Sequence, residues 1–148
     1  MRIEVDQSGK IEDTSKHTFL AFSNTQRRVL KISSVEKRKL QKYFKDKGKS
    51  KIFIYITFAS LVIILLKNLK LKNIQIIIDV EYTGRGHLIK NLKSINPTFP
   101  TDDISFHQIG KKSHAHYLTY GAAIRKLNPD LIITANRVLN VIKKSGSA

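Results

Sequence analysis

The chain predicts an α/β fold built on a mixed sheet, with three antiparallel N-terminal strands followed by parallel strands and flanking helices. Three observations carry this reading. Residues 2 to 32 break into short extended runs separated by Gly, Asn and Ser turn signals, with no helical period. Ile74 to Tyr82, Ile-Gln-Ile-Ile-Ile-Asp-Val-Glu-Tyr, is almost continuously β-branched, the mark of a central strand buried on both faces. Helical patterns stand on either side of that run, so it pairs through crossovers and lies parallel to its neighbours.

Taken in order, Arg2 to Asp6 alternates, with Ile3 and Val5 on one face and Arg2, Glu4 and Asp6 on the other. Asp6-Gln-Ser-Gly9 turns the chain, and His17 to Ser23 and Arg28 to Ile32 supply the second and third strands around the turn at Asn24-Thr-Gln26. Ser33 stands three residues before Glu36, the spacing of a capping box, and predicts a helix to Asp46. Its inner face is Val35, Leu40, Tyr43 and Phe44; Lys37, Arg38, Lys39, Lys42 and Lys45 face outward. Ile52 to Ile56 reads as a strand running into an apolar helix that reaches Leu71. After the central strand and a turn at Gly84 come a helix over His87 to Ser94 and a loop at Asn96 to Pro100. A strand over Asp103 to Ile109 and a helix from Ser113 to Leu127 follow. Leu131 to Ile133 is extended, and Thr134 caps a terminal helix with Val138, Leu139 and Ile142 inward. Residues 1–144 form one domain, and 145–148 fray.

Lys and Arg number 27 against 11 Asp and Glu, a formal charge of +16. Such an excess opposes compaction and selects polyanionic partners. The absence of cysteine excludes disulfides and thiolate metal sites. With a polar start from Arg2 onward, it predicts a cytoplasmic protein without a secretory signal. Ile52 to Leu66 is uncharged, but it is short of the roughly 20 apolar residues a spanning helix needs, so membrane insertion is not expected.

In so basic a chain the carboxylates are conspicuous. Beyond Tyr82 the acids are Asp102, Asp103 and Asp130 alone. Asp79 and Glu81, two apart, project from one face near the carboxyl end of the central strand, the edge where open α/β sheets collect ligands. The densest basic tract, Lys37, Arg38, Lys39 and Lys42, suits phosphate contacts without base specificity, and Lys111 and Lys112 precede the late helix. On that helix His114 and His116 diverge by about 200° and cannot serve one point. Gly84-Arg-Gly86 is too short for a nucleotide-binding loop.

This element order resembles the ribonuclease-H-like fold, and Ile3-Glu-Val-Asp6-Gln-Ser-Gly9 resembles the Asp-Glu-Ser-Gly opening of a family of small ribonuclease-H-like proteins. The resemblance implies a Mg2+ or Mn2+ site held by Asp6, Asp79 and His116, with Glu81 auxiliary in catalysis, and metal-dependent hydrolysis of DNA or RNA phosphodiesters. Gln7 stands where that family has Glu, and His116 where many members have Asp; histidine there is similar to the crossover-junction resolvases. The other readings are an inactive basic nucleic-acid-binding protein and a small membrane-associated protein.

Overall fold

The computed structural model describes residues 2–79, 85–109 and 113–145. β1 (Arg2–Ser8), β2 (Thr18–Ser23) and β3 (Arg27–Ile32) form an antiparallel meander. α1 (Ser34–Asp46) leads through a 3-10 turn at Ser50–Ile52 into α2 (Phe53–Leu65), which returns the chain to β4 (Gln75–Asp79). α3 (Arg85–Ile95), a second 3-10 turn at Thr101–Asp103, β5 (Ile104–His107), α4 (His114–Ala123), β6 (Leu131–Ile133) and α5 (Ala135–Lys144) complete the order. The six strands make one sheet in the order β5-β4-β1-β2-β3-β6. β4 runs parallel to both β1 and β5, and β6 runs parallel to β3. This is the mixed sheet the sequence predicts.

Strand alternation divides the sheet's two faces. Ile3, Val5, Leu20, Phe22, Leu30, Ile32, Ile76 and Ile78 point to the main core, where α1, α2, α3 and α5 bring Leu40, Phe44, Leu61, Leu92, Val138 and Ile142. Each such fully buried Leu, Ile or Phe contributes about 1.5–3 kcal/mol of transfer free energy. The opposite face carries a smaller cluster, Phe19, Ala21, Val29, Leu118 and Ala122, under α4 alone. Asp6 and Asp79 belong to that second face by parity, so the acids project away from the main core.

Three local expectations are corrected. The strand expected at Ile52 to Ile56 is the 3-10 turn and the first turn of α2. Ten of the thirteen α2 residues are buried, and a segment apolar all round is stabilised by packing on several neighbours, which outweighs the β-preference of Ile and Tyr. Val35 lies 51% exposed instead of inside. Lys37 is fully buried instead of facing outward: its Nζ donates to the carbonyls of Lys10 (3.0 Å) and Asp13 (2.6 Å) and to Thr18 Oγ1 (2.9 Å). Ser145 is the C-cap of α5 and donates through Oγ to the carbonyl of Ile142, while 146–148 lie outside the described residues. The capping box is half realised. Ser33 Oγ accepts the Glu36 N–H, while the Glu36 carboxylate reaches across to accept the N–H of Ala135 at 3.0 Å, tying α1 to α5.

Gly9 ends the β1 loop at φ +81°, and a Cβ there would meet the His17 carbonyl oxygen at 2.2 Å. Only glycine fits. Among the described residues no helix is long and apolar enough to cross a membrane.

Candidate active site

Strand register sets the centre of the site. Pairing of β1 with β4 places Val5 beside Ile78, so the next residues along, Asp6 and Asp79, emerge side by side on the α4 face. Both are buried, Asp6 to 2% exposure and Asp79 to 8%. Their side chains are within hydrogen-bonding reach of each other. The antiparallel partner of Asp6 is Ala21, whose small side chain leaves α4 room to approach.

α4 supplies two groups to Asp6. Thr119 Oγ1 donates to Asp6 Oδ2 at 2.6 Å, and His116 Nδ1 lies 3.2 Å from the same oxygen. His116 and Thr119 are three residues apart and so share one helix face. The Thr119 hydroxyl also lies 3.1 Å from the His116 carbonyl oxygen, which fixes its rotamer. Ser113 starts the helix without a side-chain cap, and its buried hydroxyl has no hydrogen-bond partner among the described residues.

The electrostatics follow from burial of two like-charged groups. Asp6 is pushed up to about 6, chiefly by burial, then by its hydrogen bond with Asp79 and the charge there. The Thr119 hydroxyl and the neighbouring His116 ring act in the opposite direction, favouring the ionised form. Asp6 therefore keeps its proton into the weakly acidic range, a cost of burial that a bound cation would offset.

The structure thus gathers Asp6, Asp79 and His116 at one place. His116 approaches Asp6 as a hydrogen-bonding partner, and among the described residues no three or more His, Asp or Glu side chains are arranged to hold a metal ion. His114 points elsewhere, as the helical spacing requires, and stacks on Tyr117 with ring centroids 5.7 Å apart. Glu81, Lys111 and Lys112 lie outside the described residues.

The basic tract on α1 is thinner than its sequence. Lys37 is withdrawn into the interior, so its place among phosphate-contacting residues is overturned by its burial and three oxygen acceptors. Arg38 donates to the Thr14 carbonyl, Lys39 pairs with Glu36 at 2.8 Å, and Lys42 pairs with Asp46 at 2.8 Å. Arg38, Lys39 and Lys42 remain on the surface.

Two residues escaped sequence reasoning. Thr119 carried a usable signal, its i+3 spacing from His116. His107 carried none, because only the parallel register of β4 and β5 sets it beside Asp79, on the same face of the sheet. Comparison with protein-family models, with curated proteins and with solved structures gave no match.

Proposed function

We propose that the chain hydrolyses phosphodiester bonds of DNA or RNA at a divalent-metal site centred on Asp6 and Asp79, within a ribonuclease-H-like arrangement of its mixed sheet. The observation that carries this reading is the buried pair of adjacent carboxylates in a chain of net charge +16. The element order β5-β4-β1-β2-β3 is compatible with that arrangement, with β6 added beyond β3.

The donor set fits Mg2+ or Mn2+. Both are hard cations that take carboxylate oxygens, and Mg2+ is commonly held by one or two carboxylates with water and substrate phosphate filling the remaining positions. A pair of acids is therefore sufficient protein ligation for such a site. When bound, the ion polarises a phosphoryl oxygen and lowers the pKa of an attacking water. The chain's own residues do the rest. Asp6 and Asp79 would hold the ion, Thr119 and His116 fix the orientation of Asp6, and His116 Nε2, the ring nitrogen not turned to Asp6, is the atom through which a proton would be passed. Arg38, Lys39 and Lys42 attract the polyanion without reading its sequence. The setting proposed for this activity is the cytoplasm.

Labelled single-stranded, duplex, hybrid and branched substrates, each with Mg2+ or Mn2+ and with chelator, provide the test. Asp6→Asn and Asp79→Asn should each lower cleavage at least a hundredfold while leaving strand binding intact, and His116→Ala should lose most of the rate. Added Mg2+ at pH 8 should raise the thermal midpoint of the wild-type chain and not of either Asn variant. Cleavage retained in Asp79→Asn sinks the site; binding without cleavage of any substrate favours the inactive nucleic-acid-binding reading.

A further inference from the structure

The outer face of α4 is built unlike any other helix surface described in this chain. Tyr117 and Tyr120 are 58% and 57% exposed, and Ile124 continues the same stripe at 43%. Two of the chain's five tyrosines therefore stand side by side in water, three residues apart on one helix, with Cβ atoms about 5–6 Å from each other. Each is flanked by an imidazole: His114 stacks on Tyr117, and His116 lies nearly parallel to Tyr120, ring centroids 6.3 Å apart and planes 16° apart.

The stripe is continuous with the acid pair, because the His116 ring that faces Tyr120 also contacts Asp6. Its charge is one-signed. From Ser113 to Lys126 the chain contains no acid, and Arg125 and Lys126 stand exposed where the helix ends. Arg125 takes φ +64°, so the chain turns sharply there and carries both cations at the end of the stripe.

We infer that the Tyr117–Tyr120 face is a base-stacking platform for a single-stranded segment of nucleic acid, which it leads toward the Asp6–Asp79 pair; this rests on the phosphodiester reading above. Exposed aromatic faces bind any base that offers its own face, and cations alongside them follow the backbone. In a continuous duplex those base faces are covered by the neighbouring pairs, so the platform selects unpaired or splayed nucleotides. A partner protein would need the stripe to be broader and less charged than one bounded by two histidines, an arginine and a lysine.

Anisotropy of a labelled oligothymidylate strand, of an abasic strand of equal length and of a duplex tests this, with chelator present so that cleavage plays no part. The wild-type chain should bind the base-bearing strand about tenfold more tightly than the abasic one. The double variant Tyr117→Leu/Tyr120→Leu should lose that preference while binding the abasic strand as before, and Tyr117→Phe/Tyr120→Phe should keep it. Both residues are half exposed, so the fold is not at stake, and circular dichroism confirms it. Equal affinity of the wild type for the two strands, or a preference that survives in the Leu variant, overturns the platform. So does self-association that the Leu variant abolishes with no base preference in the wild type. Loss of the platform with cleavage intact leaves the hydrolytic reading standing; a tenfold base preference in a chain that cleaves nothing removes the hydrolytic reading alone.

Discussion

A carboxyl group raised to about 6 makes Asp6 a stability element with a defined pH window. The folded chain holds that proton more tightly than the unfolded chain, whose Asp titrates near 3.8. The contribution is therefore fully present below about pH 3.8 and is lost as pH rises through 6. Two units correspond to about 3 kcal/mol at most. In metal-free protein the stability difference between wild type and Asp6→Asn should accordingly shift in favour of the variant between pH 4 and pH 8. Urea midpoints across that range, in chelator, measure the difference, and because it is a difference, Asp13 and Glu36, which hydrogen bonds hold below the usual carboxylate range, cancel. Parallel profiles for the two proteins would show that Asp6 carries no such proton.

At the scale of elements, Lys37 acts as a rivet between α1 and the loop that joins β1 to β2. Replacing it with Met fills similar space but removes the charged donor shared by the Lys10 and Asp13 carbonyls and the Thr18 hydroxyl, leaving the carbonyls only the N–H groups of Asp13 and Lys16 and the Thr18 hydroxyl. Hydrogen bonds to a charged group contribute about 1.5–3 kcal/mol each at a typical site, part of which the burial of the ammonium offsets. Lys37→Met should lower unfolding free energy by about 2–3 kcal/mol in denaturant titration while strand affinity, measured on the folded variant, stays unchanged. A drop in affinity with stability intact would return Lys37 to the binding surface. The same residue shows what sequence could and could not tell. Element order was readable because Ile76–Ile78 and the alternation of Ile3 and Val5 report burial directly; Asp79 was readable because a strand end presents acids to an edge, whereas Asp6 came only through the resemblance of the first strand. Lys37 looked like any surface lysine, since its acceptors are backbone carbonyls without any signature in the side chains. Ile52 to Ile56 misled for a related reason: helix or strand was decided by the packing around an all-apolar segment and not by the preferences within it.

For the whole molecule, the net charge of +16 governs encounter with any polyanion. Affinity for a polynucleotide should fall steeply as salt rises from low to physiological concentration, because displaced counterions set the slope. Combined Arg38→Gln, Lys39→Gln and Lys42→Gln should weaken binding of all sequences alike and reduce that slope by up to about three, one for each phosphate contact removed. Since Lys39 and Lys42 already face Glu36 and Asp46, a smaller change in slope is the sign that those pairs persist in the complex. Equilibrium binding at several salt concentrations reads both, and an unchanged slope would move the binding surface away from α1.

The register that places Asp6 beside Asp79 also sets a timetable. β1, β2 and β3 are neighbours in sequence and can pair early, but β4 must cross α1 and α2 to reach β1, and the partners on α4 lie 110 and 113 residues from Asp6. Contacts so distant along the chain form late in folding, after the loop-closure entropy has been met by the core. The two mutually repelling acids are thus brought together only when the hydrophobic core is already in place to hold them. The nascent chain completes the cluster of Asp6, His116 and Thr119 only once residues through Thr119 have been made.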